Sequence, residues 1–134
     1  MRYAILGDIH ANLSALESVL EALEGEAIDQ LLQVGDVVGY GAAPEECIRA
    51  LQERGATVVK GNHDAACAGQ LDTRLFNAHA KAAVDFTRAC LSSEDLQWLA
   101  DLPLVHSNDD CVLAHGTLPD PARFAKLLAS QLAV

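Results

Sequence analysis

Tyr3-Ala4-Ile5-Leu6-Gly7-Asp8-Ile9-His10 carries a short apolar run straight into an aspartate and a histidine. An uninterrupted apolar run of this length reads as a strand buried on both faces. Asp8 and His10 stand two positions apart, so at a strand end both side chains can reach one ion. The same construction recurs twice. Residues 28–34, with Leu31, Leu32 and Val34 apolar, lead into Gly35-Asp36-Val37-Val38-Gly39. Thr57-Val58-Val59-Lys60 leads into Gly61-Asn62-His63-Asp64.

Helices join these strands. Asn12 is a good N-cap, and the residues after it place Leu13, Leu16, Val19, Leu20 and Leu23 on one face, with Glu17, Glu21 and Glu24 outside. Gly25 ends that helix. Pro44 suits the first turn of a second helix carrying Cys47, Ile48 and Leu51, and Gly55 stops it. The first 64 residues therefore read β-α-β-α-β, and helical crossovers make the strands parallel. Ligands of open α/β sheets bind at the carboxyl ends of the strands, where all three polar segments fall.

Beyond Asp64 the pattern changes. Residues 65–72 read as a loop, and residues 77–91 as a helix with Ala80, Ala83, Val84 and Thr87 inward. Ser93 is expected to cap a short helix through Trp98 and Leu99, ended by Pro103. Residues 104–107 and 111–115 read as two strands around the turn Asn108-Asp109-Asp110. Pro121 begins a last helical segment with Phe124, Leu127, Leu128 and Leu132. The whole chain, residues 1–134, is expected to form one domain.

Composition narrows the function classes. The chain is 51% apolar and 21% charged, with a net charge of −10. That balance argues against binding to nucleic-acid polymers or membrane surfaces, which calls for a basic patch. A phosphate substrate stays open, because bound divalent ions reverse the sign locally. No apolar stretch approaches the roughly 20 residues that span a bilayer, and Met1-Arg2 leads at once into the first strand without a signal-peptide pattern, so a cytoplasmic location is expected. Cys47, Cys67, Cys90 and Cys111 form no Cys-x-x-Cys pair and read as buried reduced thiols, with Cys67 alone close to the third polar segment. His79 and His106 read as packing or surface histidines. The first strand ends in Gly-Asp-Ile-His, without the glycine fingerprint of a dinucleotide-binding turn.

Asp8, His10, Asp36, Asn62 and His115 form a mixed nitrogen and oxygen donor set, which suits manganese, iron, zinc or nickel. A carboxylate such as Asp36 can bridge two ions, and two ions clamp a phosphate for in-line attack. His63, beside Asn62, reads as a general acid for a leaving oxygen, and Asp64 as the residue that orients the turn or a neighbouring group. Tyr40, in the loop after the second segment, reads either as a border of the substrate cleft or, as is usual for a loop aromatic, as a packed residue.

The stretch Gly7-Asp8-Ile9-His10-Ala11-Asn12-Leu13-Ser14-Ala15-Leu16 resembles the small-phosphodiesterase branch of the calcineurin-like metallophosphoesterases. So do Gly35-Asp36-Val37-Val38-Gly39-Tyr40-Gly41 and Gly61-Asn62-His63-Asp64, and Trp98-Leu99, Leu102-Pro103 and His115-Gly116 continue the likeness. The resemblance implies a four-layer α/β/β/α sandwich with a mixed, largely parallel sheet. It also implies two divalent ions, manganese foremost, and a metal-bound hydroxide attacking a small phosphate ester. By that analogy Asp8, His10 and Asp36 hold one ion, and Asp36, Asn62 and His115 the other. His63 and Asp64 are the candidate catalytic pair.

Two departures shape the expectation. Protein serine/threonine phosphatases of this superfamily carry Asp-Arg soon after the second aspartate, whereas this chain has Gly39-Tyr40, which favours a small phosphodiester or nucleotide. The family closes its ligand set with Gly-His-x-His, and here the histidines are His10, His63, His79, His106 and His115 only. On that reading the sandwich is C-terminally truncated, each ion keeps three protein ligands, and affinity is weakened. An uncovered sheet edge would also invite a homo-oligomer, swapped through residues 127–134. The alternative function is a weak or inactive remnant, serving as a metal- or phosphate-binding or oligomerisation module.

Overall fold

The computed structural model describes residues 1–124. Three strands, β1 (Tyr3–Leu6), β2 (Gln30–Gln33) and β3 (Thr57–Val58), form a parallel sheet with β2 in the centre. Their register pairs Ile5 with Leu32 and Gln33 with Val58. The first crossover is α1 (Leu13–Leu23), whose N-cap Asn12 accepts the Ala15 N–H at 3.2 Å. The second is α2 (Pro44–Glu53), begun by Pro44 and buried through Cys47, Ile48 and Leu51. On α1, Leu16 and Leu20 are buried as the spacing predicts, but Val19 stays 41% exposed at the margin of the stripe.

Side-chain alternation along β2 divides the core. Leu31 packs with α1 and α2 in the larger cluster, and Leu32 faces the other side with Val59, Tyr3 and Val34. That second face receives the hairpin β4 (Val105–Ser107) and β5 (Val112–Ala114), through Leu113 and Cys111. Tyr3 Oη donates to Asp110 Oδ2 at 2.7 Å and pins the hairpin turn to β1. The mixed α/β architecture expected from the sequence is therefore present, as a parallel sheet with helices and an antiparallel hairpin.

In chain order α3 (Asn62–Cys67), α4 (Ala78–Cys90) and α5 (Ser93–Asp101) follow β3 and precede the hairpin, and they pack into the larger cluster with α1 and α2. Residues 65–67 were expected in a loop, and the structure corrects this. Gly61 is the N-cap and the Asp64 carboxylate accepts its N–H at 2.9 Å, which starts a helix that Ala65 and Ala66 continue. The cap of α5 also moves by one residue: Ser92, not Ser93, accepts the Asp95 N–H at 3.1 Å. On α4, Ala80, Val84 and Thr87 are buried and Asn77 is the cap. Cys47 and Cys67 are buried thiols, whereas Cys90 is exposed, against expectation, because it falls in the last turn of α4. Pro121 opens only a 3-10 turn, Pro121–Arg123, which ends at Phe124 in a left-handed conformation. Leu127, Leu128 and Leu132, and the segment expected to swap, lie outside the described residues. Among the described residues no helix is long and apolar enough to cross a membrane.

Candidate metal centre

The first two strands of the parallel sheet each end in a tight, left-handed excursion. Asp8, His10 and Asp36 have φ of 51°, 49° and 59°. Non-glycine residues rarely adopt such angles, and they persist where surrounding contacts over-determine them. Those contacts are visible. The first loop is hydrogen-bonded to the second through Asp8 N–H to Gly35 O, His10 N–H to Asp36 O and Ala11 N–H to Val37 O, at 2.8 to 3.2 Å. Val37 and Val38 are fully buried and anchor the second loop in the core. Burial of each valine contributes about 1.5–3 kcal/mol.

Asp64 ties the second loop to the third. Its carboxylate accepts the N–H groups of Asp36, Val37, Val38 and Gly61 at 2.9 to 3.2 Å. The side chain is wholly inaccessible. Burial pushes its carboxyl up to about 6, with the Asp36 charge adding to the rise, while the backbone donors oppose it. Asp64 thus shapes the turn and does not face the cleft. Gly61 is held so close to Asp36 that a Cβ there would strike the Asp36 carboxylate and main chain.

The candidate ligands converge on Asp36. Asp36 Oδ1 accepts the His63 N–H at 2.9 Å. Asp36 Oδ2 lies 3.6 Å from His10 Nε2 and 3.4 Å from His115 Nε2. Asp8 Oδ1 is 4.0 Å from His10 Nε2, and Asn62 Oδ1 is 3.0 Å from His115 Nε2. Two overlapping triplets, His10-Asp36-His63 and Asp8-Asp36-His115, bring their donor atoms within 4.8 Å of one another. His63 therefore sits within ligand range of the cluster as well as beside it.

Both imidazoles are pre-set. His10 Nδ1 lies 3.1 Å from Val38 O, and His115 Nδ1 lies 2.8 Å from Val34 O. A carbonyl only accepts, so each Nδ1 carries the proton and each Nε2 presents a lone pair to the cluster. Lone pairs from His10, His115, Asp36, Asp8 and Asn62 then face one another. Such a set could hold a cation, and its nitrogen and oxygen donors fit a borderline divalent ion.

His63 differs. Its ring is flanked by His10 at 4.8 Å, Tyr40 at 4.7 Å and Phe76 at 5.0 Å between centroids. Its Nδ1 is buried without a hydrogen-bond partner. Burial pulls its pKa down, Asp36 pulls it back up, and His10 and His115 lower it further.

The family model described as calcineurin-like phosphoesterase matches residues 1–131. This chain belongs to that family. An uncharacterised protein of Methanocaldococcus jannaschii is 36% identical over 102 residues, covering 76% of this chain and 42% of the relative. A symmetrical bis(5'-nucleosyl)-tetraphosphatase of Vibrio campbellii is 35% identical over 115 residues, covering 83% of this chain and 42% of its own length. A metallophosphoesterase crystal structure from Sphaerobacter thermophilus superimposes with a TM-score of 0.75 at 39% identity, over 90% of this chain and 49% of that one. The chain thus spans less than half the length of each of these relatives.

Membership in the calcineurin-like phosphoesterases implies divalent metal ions, and the donor set agrees. All the ligand candidates read from the sequence, Asp8, His10, Asp36, Asn62 and His115, meet at one place, with His63 among them. The sequence reading missed the carbonyls of Val34 and Val38 that fix the two tautomers, and the fourfold acceptor role of Asp64. The one available signal was Asp64 standing three residues after Gly61, where a helix cap expects a carboxylate.

Proposed function

We propose that this chain hydrolyses a small phosphate ester, a phosphodiester or nucleotide, with two divalent cations, manganese foremost, held around Asp36. One observation carries the proposal: His10 Nε2 and His115 Nε2 both face the same Asp36 oxygen, at 3.6 and 3.4 Å, with their other nitrogens tied to main-chain carbonyls. Asp36 would be shared between the ions, and Asp8, His10, Asn62 and His115 would complete the protein's share of the ligands. Bound in this way, divalent ions polarise a phosphoryl group and make a water molecule nucleophilic near neutral pH.

The remaining work falls to the protein. Asp64 holds the loops of Asp36 and Gly61 in one geometry through four N–H groups. His63 Nδ1 is sealed from solvent, so Nε2 is the nitrogen left to face a substrate. Burial keeps the ring neutral in the free site; the negative charge of an arriving phosphate opposes that effect and favours a proton at Nε2. From there it is delivered to the leaving oxygen. The nucleotide class is supported by relatives named as symmetrical bis(5'-nucleosyl)-tetraphosphatases.

The test pairs composition with turnover. Protein supplemented with manganese is analysed for metal per chain, and its hydrolysis of bis(p-nitrophenyl) phosphate is compared with that of His63→Ala. Two ions per chain and a loss of about 10²–10⁴-fold in rate are expected. Protein that retains no metal, or that does not hydrolyse the diester, rejects the hydrolase reading and leaves a phosphate-binding or oligomerisation module; a variant as fast as the parent rejects the role given to His63.

A further inference from the structure

The loop Gly39-Tyr40-Gly41 presents a large aromatic side chain in a costly way. Tyr40 has φ of 60°, a left-handed angle that bulky residues avoid, and is 51% exposed. The glycines on either side hold it there. Gly39 has φ of 88°, and a Cβ on it would lie 2.6 Å from His63 Nδ1. Gly41 donates its N–H to His10 O at 2.9 Å, and a Cβ on it would strike the carbonyls of His10 and Ala11. The aromatic ring is thereby fixed relative to the metal cluster. It meets His10 edge-on, with centroids 5.0 Å apart and planes at 79°, and leans on His63 at 4.7 Å and 42°.

The ring also lines a cleft of about 610 Å³, shared with Asp8, His10, Asn12, Ser14 and Gly41. The cleft adjoins the candidate metal centre through Asp8 and His10, and Tyr40 is part of its wall. A phosphoryl group at Asp36 would send its ester substituent along this cleft and over the exposed part of the ring. The structural role of an aromatic residue is to be buried, and this one keeps half its surface open beside the site. Strained backbone around an open side chain is the pattern of a recognition residue.

We propose that Tyr40 is a specificity-determining residue: it stacks the nucleobase of a nucleotide substrate whose phosphate is held at the cluster around Asp36. The proposal deepens the phosphoester reading and rests on it. Stacking needs the ring face, which is planar and indifferent to base identity, so any nucleobase is accepted and a ligand without one is disfavoured. The Tyr40 hydroxyl is not required.

The test measures equilibrium binding by calorimetry on manganese-supplemented protein, with AMP and ribose 5-phosphate as probes. The two share the phosphate and sugar and differ in the base. The parent protein is expected to bind AMP about tenfold tighter than ribose 5-phosphate, within the range that base–aromatic stacking provides. Tyr40→Phe keeps that ratio, and Tyr40→Ala brings it close to one. Equal affinities in the parent overturn the proposal. So does a Tyr40→Phe variant that loses the ratio, which would assign the effect to the hydroxyl. An alanine variant that weakens both probes alike would make Tyr40 a packing residue only. Ribose 5-phosphate binding reports separately on the phosphate site, so its failure marks failure of the phosphoester reading itself. The AMP to ribose 5-phosphate ratio in the parent and in Tyr40→Phe decides the matter even where the alanine variant does not fold.

Discussion

The loops at the ends of β1, β2 and β3 and the helices α4 and α5 solve opposite problems. In the loops, Asp8, His10, Ala11, Asp36 and Tyr40 all take left-handed backbone angles, and a buried carboxylate organises the chain. In α4 and α5, ordinary caps at Asn77 and Ser92 start regular helices, and no residue from 70 to 123 is left-handed. The first region stores strain where side chains must converge on one point. The second supplies the packed mass that keeps the first from relaxing, as contact of α3 with both α4 and α5 shows. The comparison predicts that equal-sized chemical changes have unequal consequences in the two regions.

Asp64→Ala should have the largest effect. It leaves four N–H groups without their acceptor at a fully buried position. An unsatisfied buried donor costs about 1–3 kcal/mol. Since the loops can partly relax, a total on the order of 3–5 kcal/mol is expected, read by denaturant titration, with metal retention lost at the same time. A variant of parental stability would show that the loops hold their shape without the carboxylate, and the contrast between the regions would collapse.

Cysteine reactivity separates the regions without altering either. Burial pushes the Cys67 thiol up to about 12 and the Cys47 thiol up to about 11. At pH 8 the thiolate of Cys47 is then about a thousandth of the total, and that of Cys67 smaller still. Cys90 is exposed at the end of α4, where a reagent can reach it. Iodoacetamide at pH 8 should label Cys90 about a hundredfold faster than Cys47 or Cys67, by peptide mapping, with the gap closing in denaturant. Comparable native rates would mean that the βαβαβ half opens readily, contrary to its dense packing.

Gly61→Ala probes how closely the loops approach. The added methyl meets Asp36 main chain as well as its carboxylate, so neither can yield alone. A loss of about 1–3 kcal/mol is expected, together with weakened metal retention, because Asp36 must move. Full metal retention at reduced stability would detach the ion site from this contact.

The polar residues of the site were legible in the sequence because each sits at the end of an apolar run, a local pattern. That pattern singled out Asp8, His10, Asp36, Asn62 and His115, while their sharing between two ions came from the family resemblance. What was not legible is non-local or short. The six residues of α3 carry too little periodicity to announce a helix, and its start depends on Asp64 reaching back to Gly61. The tautomers of His10 and His115 depend on carbonyls 28 and 81 residues away in the chain. The parallel order of the first three strands was readable from the crossovers, whereas the exposure of Val19 depends on how far each helix face reaches into the core.

Ser92→Ala tests the quiet region, and its effect should be the smallest. The Ser92 hydroxyl accepts the Asp95 N–H at 3.1 Å and donates to the Asp95 carboxylate at 2.7 Å, so the variant loses one cap. A lost N-cap costs about 1 kcal/mol. The thermal midpoint should fall by a few degrees, while metal per chain stays at the parental value, because α5 meets the site through α3 and Lys60 and contributes no ligand to it. The decisive quantity is the second one. Loss of metal in Ser92→Ala would mean that strain at the strand ends is carried by α5 as well, and the division between a strained site and a regular support would have to be redrawn.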